Sequence, residues 1–193
     1  KSAVAGFIMK FKKHFYFPIQ TYQEMEFDPL NAITNSLSKF REVKEGGAAI
    51  QFVLRSAHPR WHSAGNQLSR EVRQGRKLHD ATKIVGTSPL TTALRLIARA
   101  KKKTDKELEQ PSSLSQFEEE ALVRIQQKAA KSGFDVNIRV VVAAENESLA
   151  NSNLAAIVDS LAQYSGHEYG NGFRRVKPRN MDKFLNNFIY RNF

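Results

Sequence analysis

Two apolar segments rich in β-branched residues, AAIQFVLRS (residues 48–56) and FDVNIRVVVAAE (134–145), most constrain the fold of this chain. Each follows an amphipathic helical pattern and a glycine turn. Leu30, Ile33, Leu37 and Phe40 recur at three- and four-residue steps ahead of Gly46 and Gly47, and the helix of SLSQFEEEALVRIQQKAAKSG closes at Gly133. Apolar residues at helical spacing make one sticky face, and β-branched residues favour a strand. Neither buries its apolar surface alone. Two such halves side by side predict an α+β fold, a small sheet with helices packed on one face in a split βαβ-like pseudo-repeat.

The first half starts in PIQTYQEMEFDPLNAITNSLSK (18–39). Its aromatic lead, FYFPIQTY (15–22), reads as a strand that Pro18 restricts to an edge or to the strand's beginning. Asp28 is placed to cap a helix with Pro29 at its first position. Ser113 or Ser115 plays the same role for the second helix, whose glutamates at 118–120 suit the positive end of its dipole. ESLANSNLAAIVDSLAQYS reads as a helix with Leu149, Leu154, Ile157, Val158 and Leu161 inward, and the tail as a glycine-rich loop, a short strand and an aromatic helix. A length of 193 residues suits one domain. Opening on Lys1 and closing on FIYRNF, the chain reads as a piece of a longer protein, its residues 1–193 forming a single domain.

The charge is uneven. The chain carries a formal +11, yet residues 55–103 hold 12 Lys/Arg against 2 Asp/Glu, and residues 104–193 hold 11 against 12. The excess falls in an expected helical insertion, about 57–112, between the two halves. Arg60, Arg70, Arg73, Arg76 and Lys77 recur on its first helix, and Arg95, Arg99, Lys101, Lys102 and Lys103 on its second. Cations at these spacings can bridge successive phosphates, so they are the candidate nucleic-acid-binding residues. The bland alternative is a solvated helix face that aids solubility. Trp61 could stack on a base, or pack against its own domain.

Chemistry is hard to find. No G-x-x-x-x-G-K-[ST] loop is present, and GNGFRR lacks the strand-to-helix setting of a phosphate loop. His58 and His62 are four apart, but Pro59 intervenes and no carboxylate follows at a metalloprotease offset. No serine lies in G-x-S-x-G, and cysteine is absent, which removes disulfides and thiolate chemistry and fits a reducing compartment. Tyr16, Tyr22, Tyr164, Tyr169 and Tyr190 lack the histidine cluster of a relaxase-like enzyme. The expectation is no enzyme, no metal and no cofactor. Arg139, on an apolar strand, calls for a partner such as Glu145 or Glu120, or for a subunit contact.

YFPIQTYQEMEFDPLNAITNSLSKF, EGGAAIQFVLRSA with a Trp after it, and QQKAAKSGFDVNIRVVVA resemble the region before the P-loop ATPase in bacterial conjugation and type IV secretion proteins, the TraG-like coupling ATPases and HerA/FtsK-type DNA motors. The resemblance covers most of the chain in three blocks of fold-forming positions. It implies a non-enzymatic accessory domain of a membrane-associated, hexameric, DNA-pumping ATPase of plasmid transfer. Its partners would be DNA without sequence preference, the ATPase domain of the same chain, neighbouring subunits in a homo-oligomer, or an anionic membrane surface. Its place would be the cytoplasm or the inner face of a bacterial membrane. The alternative is a protein- or membrane-surface module of the secretion machinery without DNA contact. The motor's ATP-binding motifs match no position here.

Overall fold

The computed structural model describes residues 2–26, 28–38, 40, 46–85, 114–165 and 170–193. The chain forms two compact units. One comprises residues 1–57 and 133–193, and the other, His58–Ser132, interrupts it.

The first unit is built on strands β1 (Ala3–Phe11), β2 (Gly47–Ser56), β3 (Phe134–Ala144) and β4 (Phe173–Val176). They make one sheet in the order β2-β3-β1-β4, with every neighbouring pair antiparallel. Helix α1 (Pro29–Ser38) joins β1 to β2, and α5 (Glu147–Ser160) joins β3 to β4. This is β-α-β-β-α-β connectivity with each βαβ split by a strand from the other half. The fold is α+β. The interrupting unit carries α2 (Arg60–Arg73), α3 (Leu78–Thr82) and α4 (Gln116–Ala129), and α6 (Met181–Ile189) ends the chain.

Side chains alternate along each strand, so the sheet has two chemically distinct faces. On one, Ala5 and Met9 of β1 and Ile138, Val140, Val142 and Ala144 of β3 meet Ile33 of α1 and Ala150, Leu154 and Ile157 of α5. Asp28 Oδ1 accepts from the Leu30 amide at 2.9 Å, which starts α1 as its sequence predicts. Leu37 and Phe40 pack on this core, but Leu30 is 60 % exposed and Leu149 is also exposed. Both sit in the first turn of a helix, where the apolar stripe runs past the sheet edge.

Two boundaries differ from the sequence reading. The helix of residues 116–129 belongs to the interrupting unit, which therefore extends past residue 112 to Ser132. The second helix packed on the sheet is α5, which follows β3. The front strand is also displaced. β1 is AVAGFIMKF, and FYFPIQTY is a loop ending in a 3-10 turn at Tyr22–Glu24.

Buried Asn171 explains that loop. Its Nδ2 donates to His14 O at 2.9 Å and also reaches Phe17 O, while its Oδ1 accepts from Lys13 N at 2.9 Å. Its own amide donates to Pro18 O at 2.7 Å. The Asn171 side chain pairs loop backbone groups that no ladder reaches, Gln20 N donates to Tyr164 O at 3.2 Å, and Tyr16 and Phe17 turn inward. GNGFRR is thus a clamp that leads into β4. Asn171→Ala is expected to cost about 2–4 kcal/mol, because several buried backbone groups lose their partner together. Urea unfolding followed by tyrosine fluorescence measures it, and a change below about 0.5 kcal/mol would refute the clamp.

The opposite face carries α6. Arg139, 2 % exposed, points there with Gln51, its register partner on β2. Arg139 donates to Gln51 Oε1 and to Asn187 O, each at 2.9 Å, and to Asn192 O, while Gln51 Nε2 donates to Phe188 O at 2.7 Å. A helix leaves its last carbonyls unpaired and partly negative. Here Asn187 O and Phe188 O accept from the Asn192 and Arg191 amides, with Arg191 in the left-handed region at φ 55°, and the cross-strand Arg–Gln pair adds a second donor to each. The expected partners Glu145 and Glu120 play no part in these bonds. Phe184 anchors the same helix over Gly6, where a Cβ would lie 2.4 Å from the ring.

Candidate nucleic-acid interface

Among the described residues, the interrupting unit is a helical pair with a short third helix. Leu68 and Val72 of α2 and Leu122 and Ile125 of α4 are buried. Gly65 permits close packing, since a Cβ there would lie 3.1 Å from Ala129 Cβ. Gly75, at φ 88°, ends α2. Its amide donates to Val72 O at 3.0 Å and the Arg76 amide to Glu71 O at 3.3 Å, a two-bond C-terminal cap that needs the left-handed glycine. Ser115 accepts from the Glu118 amide and starts α4 with a reciprocal capping box, so Glu118 is structural.

The buried face of α2 puts its charged residues into solvent. Arg60, Arg70, Arg73 and Lys77 are exposed. Arg70 and Arg73 are three residues apart and therefore neighbours on one face. Arg60 stands ten residues from Arg70, about 15 Å along the axis, so it does not join that cluster. Arg76 is paired with Glu71 at 3.0 Å, which offsets its charge. Arg73 Nη2 donates to Gln126 Oε1 at 3.3 Å. Arg70 and Arg73 lie in the last turn of α2, where they complement the helix dipole, and Lys77 follows as the residue that starts α3. Residues 58–85 contain six Lys/Arg and two Asp/Glu, and the acids are engaged: Glu71 with Arg76, and Asp80 with Lys83 at 3.3 Å. Arg95, Arg99, Lys101, Lys102 and Lys103 lie outside the described residues, so the second basic helix does as well.

The remaining candidates have local roles. Trp61 is half-buried and its ring lies 4.1 Å from that of His62. His62 Nδ1 bonds Ala129 O, and His58 Nδ1 accepts from the Arg60 amide at 3.2 Å, in the manner of a helix cap. Tyr16 is buried, which pushes its pKa up to about 12 and keeps the hydroxyl protonated. Burial, and secondarily Asp28, also raises the pKa of Tyr164. Tyr169 and His167 lie outside the described residues.

One group escaped the sequence reading. Lys128, in the last turn of α4, is half-buried, and desolvation pulls its pKa down to about 8. Nothing in its spacing signals this, because burial depends on how α4 packs. The folded unit releases this proton near pH 8, whereas the unfolded chain holds it until about 10.5. Between those values the unfolded state binds more protons, so this group makes stability rise with pH. At pH 8–8.5 Lys128 is expected to acylate ahead of Lys131, read by peptide mapping. Equal rates would contradict the burial.

These features define a class: a split-βαβ α+β domain with a capping C-terminal helix and a basic helical unit inserted between β2 and β3. The chain belongs to the family described as Domain of unknown function (DUF8128), whose model matches residues 1–193. No curated protein and no solved structure matched it.

Proposed function

We propose that this chain is a non-enzymatic accessory domain that contacts DNA, without sequence preference, through the basic surface of its helical unit. The setting we propose is a conjugative or type IV secretion DNA-translocating ATPase, at the cytoplasmic side of a bacterial membrane. The observation that carries the DNA contact is the pair Arg70 and Arg73 on the solvent face of α2, with exposed Lys77 following at the start of α3 and both acids of residues 58–85 already paired. Guanidinium groups recognise phosphate oxygens with two parallel hydrogen bonds, and released counterions drive association. The secretion setting rests on the sequence resemblance alone. Among the described residues no helix is long and apolar enough to cross a membrane.

Fluorescence anisotropy of labelled duplex and single strands at several salt concentrations tests this. Binding is expected to weaken steeply with salt. Arg70→Gln with Arg73→Gln is expected to reduce the slope of log K against log salt by about 2, near 0.9 for each duplex phosphate left without its cation. No binding at low salt removes the DNA contact from the proposal.

A second reading, contact with a neighbouring subunit, is favoured by a different surface. β2 is an edge strand of ten residues. Phe52 and Leu54 beside it are 50 % and 59 % exposed, and Val136 and Phe134 on β3 continue the apolar strip. Long apolar edges invite strand pairing. Leu54→Lys would then abolish self-association in sedimentation velocity. A wild-type chain that stays monomeric at every concentration removes subunit self-pairing at this edge.

A further inference from the structure

The opposite edge of the sheet carries a charge arrangement that its fold does not need. β1 and β4 pair antiparallel with Lys10 directly opposite Arg174. Like charges directly opposite each other destabilise a sheet. Neither cation has an acidic partner among the described residues, where the ion pairs are Arg55–Asp135, Arg76–Glu71 and Lys83–Asp80. Lys12, Arg175, Lys177 and Arg179 are exposed at the same edge; Arg175, opposite Met9, lies on the other face with its guanidinium 5.6 Å from the Phe7 ring, and Lys177 and Arg179 follow the end of β4. Residues 2–18 and 170–180 contain no Asp or Glu at all. β4 is an edge strand, so alternate backbone amides also face away from the sheet.

We infer that this edge is a second phosphate-binding row, in the sheet unit, for the backbone of a single-stranded nucleic acid. Arg174 Nε donates to Phe11 O at 3.4 Å, but neither Arg174 nor Lys10 has an acidic partner among the described residues, so a polyanion at this edge would offset their repulsion. Lys10 and Arg174 lie on one face of this edge and Arg175 on the other, so the cations flank the line of the edge strand from both sides and suit a linear ligand better than a broad one. Three of the six cations are arginines, which grip phosphate oxygens through a planar fork, and edge amides can add donors. The row is independent of the α2 cluster, and its variants separate the two.

The test is anisotropy with labelled oligo-dT on the full chain, comparing wild type, Lys10→Gln/Arg174→Gln/Lys177→Gln and Arg70→Gln/Arg73→Gln. The sheet-edge triple variant is expected to bind at least tenfold more weakly at low salt, with the salt slope reduced by about 2, near 0.7 for each single-strand phosphate left without its cation. The loss should persist in the Arg70→Gln/Arg73→Gln background. Because repulsion is relieved, the Tm of Lys10→Gln is expected to equal or exceed that of wild type. A clear fall in its Tm would make the cation structural and overturn the inference. Lysine acetylation of the wild-type chain is a check that needs no variant: oligo-dT should protect Lys10, Lys12 and Lys177. Unchanged affinity in the triple variant with absent protection overturns this row while leaving the α2 interface standing. Loss of binding to phosphatidylserine vesicles with no change toward oligo-dT also overturns it and assigns the row to lipid.

Discussion

Arg139→Ala is expected to destabilise the sheet unit by about 3–5 kcal/mol, the largest effect of any single polar substitution here. Arg139 is buried and holds Gln51 Oε1 and the carbonyls of Asn187 and Asn192 at once. Alanine leaves all three acceptors without that donor and unties the end of α6 from the sheet. Arg139→Lys should recover less than half of the loss, because one ammonium cannot span a fork of three acceptors. In a chain lacking residues 181–193 the same substitution should cost about 1 kcal/mol or less, since two of its partners are gone. The readout is well separated. The one Trp, Trp61, lies in the interrupting unit, whereas all five tyrosines lie in the sheet unit. Urea unfolding followed by tyrosine should shift and the tryptophan signal should move less. An equal cost with and without α6 would mean that Arg139 stabilises the unit by some means other than capping that helix.

Phe184→Ala is expected to cost about 3–5 kcal/mol, the range for emptying a buried aromatic site. Its ring occupies the space over Gly6, and a Cβ there would also come within 3.1 Å of Val140 O. Gly6→Ala alone should therefore cost about 1–3 kcal/mol by forcing the ring aside. The two effects are coupled, because alanine at 6 fills part of what Phe184→Ala empties. The double variant should be more stable than the sum of the single costs implies. Strict additivity in a double-mutant cycle would show that the ring and the glycine do not share that space.

Sequence pattern and structure agree where a signal is local. The start of α1 is legible because Asp28 and the Leu30 amide are two residues apart, and the start of α4 because Ser115 and Glu118 are three apart. They disagree where the deciding interaction is remote. AVAGFIMKF, broken by Gly6 and Lys10, resembles no strong strand by itself. It becomes β1, with β3 on one side and β4 on the other. FYFPIQTY has better strand composition, yet Asn171, more than 150 residues away, holds its backbone in a loop. Of the candidate interface, the arginine density was legible, but the pairing of Arg76 with Glu71 and the separation of Arg60 from Arg70 and Arg73 follow from how α2 ends and packs.

The sequence by itself determined the α+β class, the helix starts at Asp28 and Ser115, and a basic segment poor in acids. Each depends on composition or on residues within one helical turn. Only the tertiary structure decided that Arg139 caps α6 and that Lys10 stands against Arg174. Those partners lie 48 and 164 residues apart. Strand register brings them together, and register is a property of the whole packed sheet.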